Sequence, residues 1–261
     1  MLQNIRVVAL SATLPNYKDV AAFLRIQVPS AEEEGALGPQ KSPGLFYFDK
    51  SYRPVPLKQQ YIGVSEKKAV KRMMLMNEIT YEKVMERAAR SQIIVFVHSR
   101  KETGRTARAI KDAALNRDEL AGLIGGSSSG EKYDADYMQK IAKLTKSQEL
   151  QELVPYAIGI HHAGLSRGDR TLVEELFADK RLRVLVATAT LAYGVNLPAR
   201  TVIIKGTQIY SAQKGSWVDL SGQDILQMIG RAGRFGLDPY GEGILLTSRG
   251  SMESYLTILN S

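Results

Sequence analysis

The stretch IIVFVHSRKETGRTARAIKDAAL, residues 93–115, contains the pattern that decides the fold class. Its first five residues are a short β-branched and aromatic run, which is typical of a buried strand. The rest of the stretch has the composition and spacing of a helix. Such strand–helix units, repeated along a chain, are typical of a parallel sheet that is covered by helices on both faces.

The same alternation recurs along the chain. Further strands are predicted at IRVVAL (5–10), YAIGI (156–160), VLVAT (184–188), TVIIKG (201–206) and GEGILLT (241–247). Helices are predicted at residues 66–90, 166–179 and 222–232. The first of these helices has apolar or small side chains at helical spacing, at Val70, Met73, Met74, Asn77, Tyr81 and Val84. Residues 29–44 and the GGSSSG run (125–130) indicate loops. We therefore predict an α/β fold.

The amino-acid composition limits the kinds of site and partner that the chain can have. The 261 residues suit one large domain, or one domain and part of another, and the hydrophobic share of 44% is ordinary for a globular protein. The absence of cysteine excludes disulfides and thiolate metal sites, and three histidines do not make a histidine-rich metal site, so we expect no metal. The net charge of +8 favours a polyanion such as nucleic acid, or indicates only a cationic surface. No apolar run is long enough to predict a membrane span.

Unusual polar residues follow several of the predicted strands. In parallel sheets, ligands collect outside the carboxyl ends of the strands. Ser99 and Arg100 follow the strand at 93–97 and begin a helix, where free backbone amides attract anions. His162 follows the strand at 156–160 in the same way. Considered alone, the segment with Ser99 and Arg100 is better explained by a capped helix with an exposed arginine.

The segment VLVATATLAYGVNLPA (184–199) combines several groups that suit phosphate. The hydroxyls of Thr188 and Thr190 can hold a phosphate oxygen without selecting a base. Gly194 permits a tight backbone or a positive φ angle, and Asn196 both donates and accepts hydrogen bonds. The alternative is an ordinary turn between a strand and a helix.

The segment QMIGRAGR (227–234) contains two arginines separated only by small residues. We expect Arg231 and Arg234 to lie on one face of the helix at 222–232, with Gln227 one turn earlier. Paired guanidinium groups suit the charge of a transferring phosphoryl group. The alternative is a surface salt-bridge pair. SATLP (11–15), with Ser11 and Thr13, indicates only a turn when it is considered alone.

Together these segments resemble a known family. SATLP, VFVHSRKET, HHAG, ATATLAYGVNLPA and QMIGRAGR occur in the order of motifs III to VI of the superfamily-two DExH-box helicases, across nearly the whole chain. The intervening segments, such as YRPVPLKQQYIGVSEKKAVKR and VIIKGTQIY, are similar to those of RNA helicases of the spliceosomal U5 particle. Such helicases carry two cassettes, and the intact GRAGR and GVNLP resemble the first, active one.

The resemblance implies a RecA-like parallel sheet. Residues 1–49 are expected to be a remnant of a first RecA-like domain with its linker, and residues 50–261 a second RecA-like domain. The implied function is the C-terminal half of a nuclear, ATP-dependent motor that unwinds the U4/U6 RNA duplex, with RNA and other U5 particle proteins as partners. ATP with Mg²⁺ would be bound mainly by the first domain. The sequence has no G-x-x-x-x-G-K-[ST] loop, so we expect this chain alone to hydrolyse no ATP.

The resemblance also implies roles for individual residues. Matches to the family motifs assign arginine fingers to Arg231 and Arg234, a phosphate-side contact to Gln227, nucleotide contacts to Gly194 and Asn196, RNA-backbone contacts to Ser99, Arg100, His162, Thr188 and Thr190, and coupling of ATP state to strand separation to Ser11 and Thr13. Tyr193 stands where this family is expected to have tryptophan.

Two other functions remain open at this stage. A related helicase of a transcription coactivator and alkylation-repair complex shares SATLPNY and KGTQIY. A non-catalytic, helicase-like scaffold is the second alternative, and the intact Arg231, Arg234 and Asn196 argue against it.

Overall fold

The computed structural model describes residues 7–11, 16–26, 44–48, 50–124, 133–211 and 213–260. The chain divides into two compact units, Met1–Pro54 and Val55–Ser261. Thr13, the GGSSSG run and nearly all of the predicted loop at 29–44 lie outside the described residues.

The first unit contains one described α-helix, α1 (Tyr17–Phe23). The ring of Tyr17 stacks on Tyr47 at a centroid distance of 5.1 Å. The strand predicted at residues 5–10 is wrong for its described part, because residues 7–10 have no regular structure. Leu10 is 92% exposed, and no strand within the described ranges pairs with this segment. An apolar run becomes a strand only when a neighbour takes up its backbone hydrogen bonds.

The second unit is built on a six-stranded sheet in the order β1–β8–β5–β2–β4–β3, and every neighbouring pair is parallel. Its strands are β1 (Leu57–Val64), β2 (Ile93–Val97), β3 (Ile158–His161), β4 (Val184–Thr188), β5 (Thr201–Lys205) and β8 (Gly241–Ser248). Between β5 and β8, an antiparallel hairpin is formed by β6 (Gln208–Ser211) and β7 (Ser216–Asp219). β3 starts two residues later than predicted, because Val154–Tyr156 forms a 3₁₀ turn.

Helices connect the strands and cover the sheet. They are α2 (Ala69–Ala88), α3 (Arg100–Asn116), α4 (Leu120–Ile124), α5 (Ala135–Ala142), α6 (Gln148–Leu153), α7 (Arg167–Ala178), α8 (Thr190–Gly194), α9 (Gly222–Ile229) and α10 (Arg249–Asn260). The crossovers through α2 and α3 run across the sheet in one direction, and those through α7, α8 and α9 run in the other. Because such crossovers are almost always right-handed, the two groups cover opposite faces. The α/β class with a RecA-like parallel sheet is therefore confirmed.

The core lies between the sheet and these helices. All five residues of β2 and all five of β5 are buried, as expected for strands covered on both faces. Helix α2 departs from its predicted pattern, since Tyr81 and Val84 are buried while Val70 and Met74 are 67% and 64% exposed. Helical spacing identified one face correctly, but only the C-terminal half of that face is buried.

Candidate functional site

Three of the polar segments meet at the carboxyl ends of adjacent strands. β4 lies between β2 and β3, with Val97 beside Thr188 and His161 beside Ala187. The residues that follow these strands are therefore neighbours. The structure brings together the five predicted RNA contacts at this edge, which we call the carboxyl-edge residues: Ser99, Arg100, His162, Thr188 and Thr190.

Ser99 and Arg100 occupy the beginning of α3. The Ser99 hydroxyl oxygen accepts a hydrogen bond from the backbone N–H of Glu102 at 3.2 Å and caps the helix. Arg100 is the first residue of α3 and its side chain is exposed. A capped helix start with an exposed cation can hold an anionic backbone without reading its sequence.

His162 lies against Gly164 and Arg100. Its Nδ1 accepts a hydrogen bond from the backbone N–H of Gly164 at 3.1 Å. A Cβ placed on Gly164 would lie 3.1 Å from that nitrogen and 3.2 Å from Cδ of Arg100. Burial lowers the pKa of His162, so its ring is neutral near pH 7. The adjacent His161 points elsewhere, because its Nε2 lies 2.7 Å from Oε1 of Glu174.

Thr188 and Thr190 complete the edge. Thr188 ends β4 and Thr190 begins α8, and their hydroxyl oxygens are 2.9 Å apart. The Thr190 side chain is exposed. The pair presents two adjustable hydroxyl groups beside Arg100 and His162, which is a group suited to phosphate oxygens.

Sequence reasoning missed an aromatic group beside this edge. The hairpin carries Tyr210 and Trp217, which are 59% and 56% exposed, with ring centroids 6.0 Å apart. The Trp217 ring also packs edge-on against His98 at 5.5 Å. The signal was the Lys214–Gly215 turn between two short alternating runs, which is typical of a hairpin.

The arginine segment, residues 227–238, departs from the prediction. Helix α9 ends at Ile229, so Arg231 and Arg234 do not lie on one helical face. The chain leaves the helix to form a bridge between Ala232 and Ala199, with hydrogen bonds from Ala199 N–H to Arg231 O (3.0 Å) and from Gly233 N–H to Ala199 O (2.7 Å).

Gly233 makes this path possible. Its φ angle is +90°, and a Cβ there would lie 2.7 Å from Cγ1 of Val55. Because Ala199 precedes β5, the arginine segment sits near the amino end of that strand. Unlike the carboxyl-edge residues, the arginine segment therefore does not lie directly after the carboxyl end of a strand.

Arg231 reaches the segment that follows β4. Its Nη2 donates to the backbone oxygen of Ala192, and its Nη1 donates to Oδ1 of Asn196 at 3.4 Å. Burial lowers the pKa of Arg231, and no carboxylate of the described residues forms an ion pair with it. The structure thus brings Arg231 and Asn196 together around a cation that lacks a counter-charge in the described part of the chain.

Gly194 and Gln227 stand nearby. Gly194 ends α8 without a positive φ, and a Cβ there would meet no atom within 4 Å. Gly194 therefore does not adopt the tight or left-handed backbone that was expected, and the space beside its Cα is open. Gln227 lies in the last turn of α9. Ser11, in the first unit, is exposed and outside regular structure.

Arg234 has a different environment from Arg231. It forms an ion pair with Asp238 at 2.8 Å, and only 13% and 4% of the two side chains are exposed. The alternative considered from the sequence, a salt bridge on the surface, does not form, because both side chains of this ion pair are largely buried.

Comparison with known proteins supplies the family. Residues 127–236 match the family described as the helicase conserved C-terminal domain. Over 258 residues, 99% of the chain, it is 58% identical to the U5 small nuclear ribonucleoprotein 200 kDa helicase of Drosophila melanogaster and 57% identical to the human protein of that name. It is 51% identical over 259 residues, also 99% of the chain, to the pre-mRNA-splicing factor brr2 of Schizosaccharomyces pombe.

The chain belongs to the DExH-box superfamily-two helicases. It spans 11% of the length of each of these helicase relatives. The resemblance that its motifs indicated is thereby confirmed. No helix in the described part of this helicase segment is long and apolar enough to cross a membrane, and no cluster of potential metal ligands occurs in the same residues.

Proposed function

We propose that the chain is the C-terminal half of an ATP-dependent RNA helicase motor that unwinds the U4/U6 duplex during pre-mRNA splicing in the nucleus. The relatives named as a U5 particle helicase and as a splicing factor support this pathway over transcription or repair. The carboxyl-edge residues would contact the RNA backbone, and other U5 particle proteins would be partners.

The observation that carries the proposal is the state of Arg231. A partly buried guanidinium without a carboxylate partner in the described residues is suited to receive an anion from another domain. Asn196, at 3.4 Å, adds an amide at the same place, and Gln227, at the start of the arginine segment, carries a second amide four residues before Arg231. These groups fit one side of a triphosphate. Bound ATP with Mg²⁺ would supply the phosphoryl group whose charge Arg231 neutralises.

The first test is RNA-stimulated ATP hydrolysis by the full-length parent protein, wild type against Arg231→Ala. An arginine finger contributes roughly 10³–10⁵ in rate, or about 4–7 kcal/mol. We expect a loss of that order in kcat with RNA affinity retained, because Arg231 donates its hydrogen bonds to Ala192 and Asn196 and not to a carboxyl-edge residue.

The test has two controls. The 261-residue chain alone is expected to hydrolyse no ATP, since its sequence has no phosphate-binding loop. Lys58→Ala removes a cation that packs on the Tyr240 ring at 3.9 Å and is expected to leave the rate near wild type. An unchanged rate in Arg231→Ala would favour a non-catalytic scaffold and refute the proposal.

A further inference from the structure

Helix α8 is hydrogen-bonded to both ends of α9. The hydroxyl of Tyr193, in α8, donates to Oδ1 of Asp224, in the first turn of α9. At the other end, Arg231, the second residue after α9, donates to the backbone oxygen of Ala192, which is the residue next to Tyr193. Two adjacent residues of one short helix thus contact the beginning and the end of the helix that leads to Arg231.

The acceptor of the Tyr193 hydroxyl is itself fixed in place. Oδ2 of Asp224 accepts hydrogen bonds from the backbone N–H of Ser221 at 3.2 Å and from the Ser221 hydroxyl at 2.6 Å. The Ser221 Oγ in turn accepts the backbone N–H of Asp224 at 3.1 Å, which completes a capping box. Burial, and after it the hydrogen bond to Asp224, raise the pKa of Tyr193 to about 12, so the hydroxyl keeps its proton near pH 7.

Helix α8 has few other features that fix its orientation. It contains five residues and has no side-chain cap at its beginning, and a helix of this length is not stable by itself. Leu191 and Ala192 are fully buried and hold α8 against the core, but apolar packing is not directional. At the other end, a Cβ on Gly194 would meet no atom within 4 Å. The Tyr193 hydroxyl therefore supplies a direction that the packing does not.

The orientation of α8 determines where the acceptors of Arg231 lie. Those acceptors are the backbone oxygen of Ala192, within α8, and Oδ1 of Asn196 at 3.4 Å, two residues after it. A rotation of α8 would move both acceptors and, with them, the guanidinium. A displacement of about 1 Å in a catalytic group can cost on the order of a hundredfold in rate.

We propose that Tyr193 is a positioning residue for Arg231. Its hydroxyl fixes α8 on the capping box of α9, so that the Ala192 carbonyl and the Asn196 amide hold the guanidinium in the direction of the nucleotide. This inference rests on the proposed function, in which Arg231 neutralises the charge of the transferring phosphoryl group. Tyr193 stands where this family is expected to have tryptophan, and an indole N–H is likewise a single donor on an aromatic ring.

The test is RNA-stimulated ATP hydrolysis by the full-length parent protein with Tyr193→Phe, which removes the hydroxyl and keeps the ring. A hydrogen bond to a charged group is stronger than one between neutral groups, so we expect kcat to fall about tenfold. KM for ATP should change less than about twofold, because Arg231 acts on charge that develops in the transition state. A wild-type kcat in Tyr193→Phe would overturn the inference.

A double variant separates positioning from general stability. If Tyr193 acts through Arg231, adding Tyr193→Phe to Arg231→Ala should change kcat less than about twofold, because the group that it positions is already absent. Single-turnover measurements with the enzyme in excess give these low rates. A further loss of about tenfold in the double variant would show that the two residues act independently and would contradict the inference.

Tyr193→Trp decides the question if the rate of Arg231→Ala is too low to measure. The indole N–H can replace the hydroxyl as the donor to Asp224, and the Tyr193 side chain is 57% exposed, which leaves room for the larger ring. We expect kcat in this variant to lie within about threefold of wild type and clearly above that of Tyr193→Phe. Equal losses in the two variants would show that the donor is not what matters and would refute the positioning role.

The matched control is another hydrogen bond from a tyrosine to a carboxylate in the same unit. Tyr81, in α2, donates to Oε2 of Glu119, and Tyr81→Phe removes the same chemical group outside α8 and α9. We expect kcat near wild type. A loss equal to that of Tyr193→Phe would reduce the effect to general stability and contradict the inference. An unchanged rate in Arg231→Ala refutes the proposed function instead, so the two failures are distinguishable.

Discussion

At the scale of single residues, the protonation of His162 makes the stability of the carboxyl edge depend on pH. Its side chain is nearly buried, and its Nδ1 is used as an acceptor by the Gly164 N–H. Burial holds the pKa of His162 below its ordinary value; the charge of Glu149 opposes this shift, and that of Arg100 acts in the same direction as burial. A protonated imidazole cannot accept this hydrogen bond, so proton uptake and the local turn exclude each other.

The sign of the resulting pH dependence follows from linkage. Because the pKa is lower in the folded state than in the unfolded chain, the unfolded chain binds the proton more readily. The stability that His162 contributes is therefore present above the unfolded value of about 6.5 and is lost as pH falls below it.

We expect the urea midpoint of the chain to fall between about pH 7.5 and pH 5.5, on either side of the free imidazole value of ~6.5. His162→Asn retains an acceptor without a titrating group, so its midpoint should fall less over the same range. Chemical denaturation followed by circular dichroism at the two pH values measures this. If the urea midpoints of the variant and the wild type fall equally between the two pH values, His162 is not the source of the pH dependence.

The candidate site residues were chosen from the sequence alone, but their hydrogen-bond and ion-pair partners could not be predicted from it. The expectation placed Arg231 and Arg234 side by side because three-residue spacing implies a shared helical face. Gly230 ends the helix first, and Gly233 then takes a backbone angle that most residues avoid. Asp238 carried no signal, since a single aspartate in a glycine- and proline-rich loop resembles any surface charge.

At the scale of elements, a buried ion pair joins β5 to α3. Lys205 ends β5, and its Nζ lies 2.7 Å from Oε1 of Glu102 and 2.7 Å from the hydroxyl of Thr106. Both charged side chains are only 4% exposed. Burial lowers the pKa of Lys205, against the attraction of Glu102. Glu102 also lies in the first turn of α3, where its backbone N–H binds Ser99.

We expect Lys205→Met to lower the free energy of unfolding by about 3–5 kcal/mol, because it leaves the Glu102 carboxylate buried without a counter-charge. Urea unfolding of the chain measures the change. Lys205→Met combined with Glu102→Leu removes both charges and should be clearly more stable than the single variant. If the single and double variants unfold at the same urea concentration, the ion pair is not what the lysine contributes.

Periodicity predicted most elements correctly because burial on a sheet imposes it directly. The C-terminal half of α2, with Tyr81 and Val84, follows its predicted face. The exposed Val70 and Met74 do not, since spacing reports which residues share a face and not how far the sheet extends beneath them. The strand prediction failed at residues 7–10 for a related reason. Their apolar pattern is that of a strand, but a strand forms only where a neighbouring strand is available for pairing.

At the scale of the whole molecule, charge and topology work together. The chain carries a net charge of +8, yet the predicted RNA contacts occupy one edge of the sheet. Arg100 lies at that carboxyl edge, and the exposed Arg90 lies just before β2, at the opposite edge. A general attraction would depend on both arginines equally, whereas a backbone contact depends on Arg100.

We expect Arg100→Ala in the full-length parent to weaken single-stranded RNA binding equally for all sequences and to reduce the salt slope, d log K/d log[salt], by about 0.7. Arg90→Ala makes the same charge change at the other edge and should leave the slope unchanged. Fluorescence anisotropy across a salt series measures both. Matching slopes for the two variants would show that only the overall charge matters.

The sheet class could be predicted from the sequence, but the strand order could not. Buried β-branched runs separated by helices require parallel pairing, whichever strands are neighbours. The order depends on which helix covers which gap. The sequence also gives no local sign that β8 lies between β1 and β5.

That position of β8 has a consequence for synthesis. The first strand of the sheet, Leu57–Val64, pairs over its full length with the last, Gly241–Ser248. A ribosome that adds ~5–20 residues per second needs roughly 10–35 s to travel from one strand to the other. During that interval β2, β4 and β3 can assemble, while β1 has no partner and β5 keeps one bare edge. The sheet is therefore complete only when β8 has been synthesised. A chain that stalls before residue 241 exposes the unpaired edges of β1 and β5, through which it can aggregate.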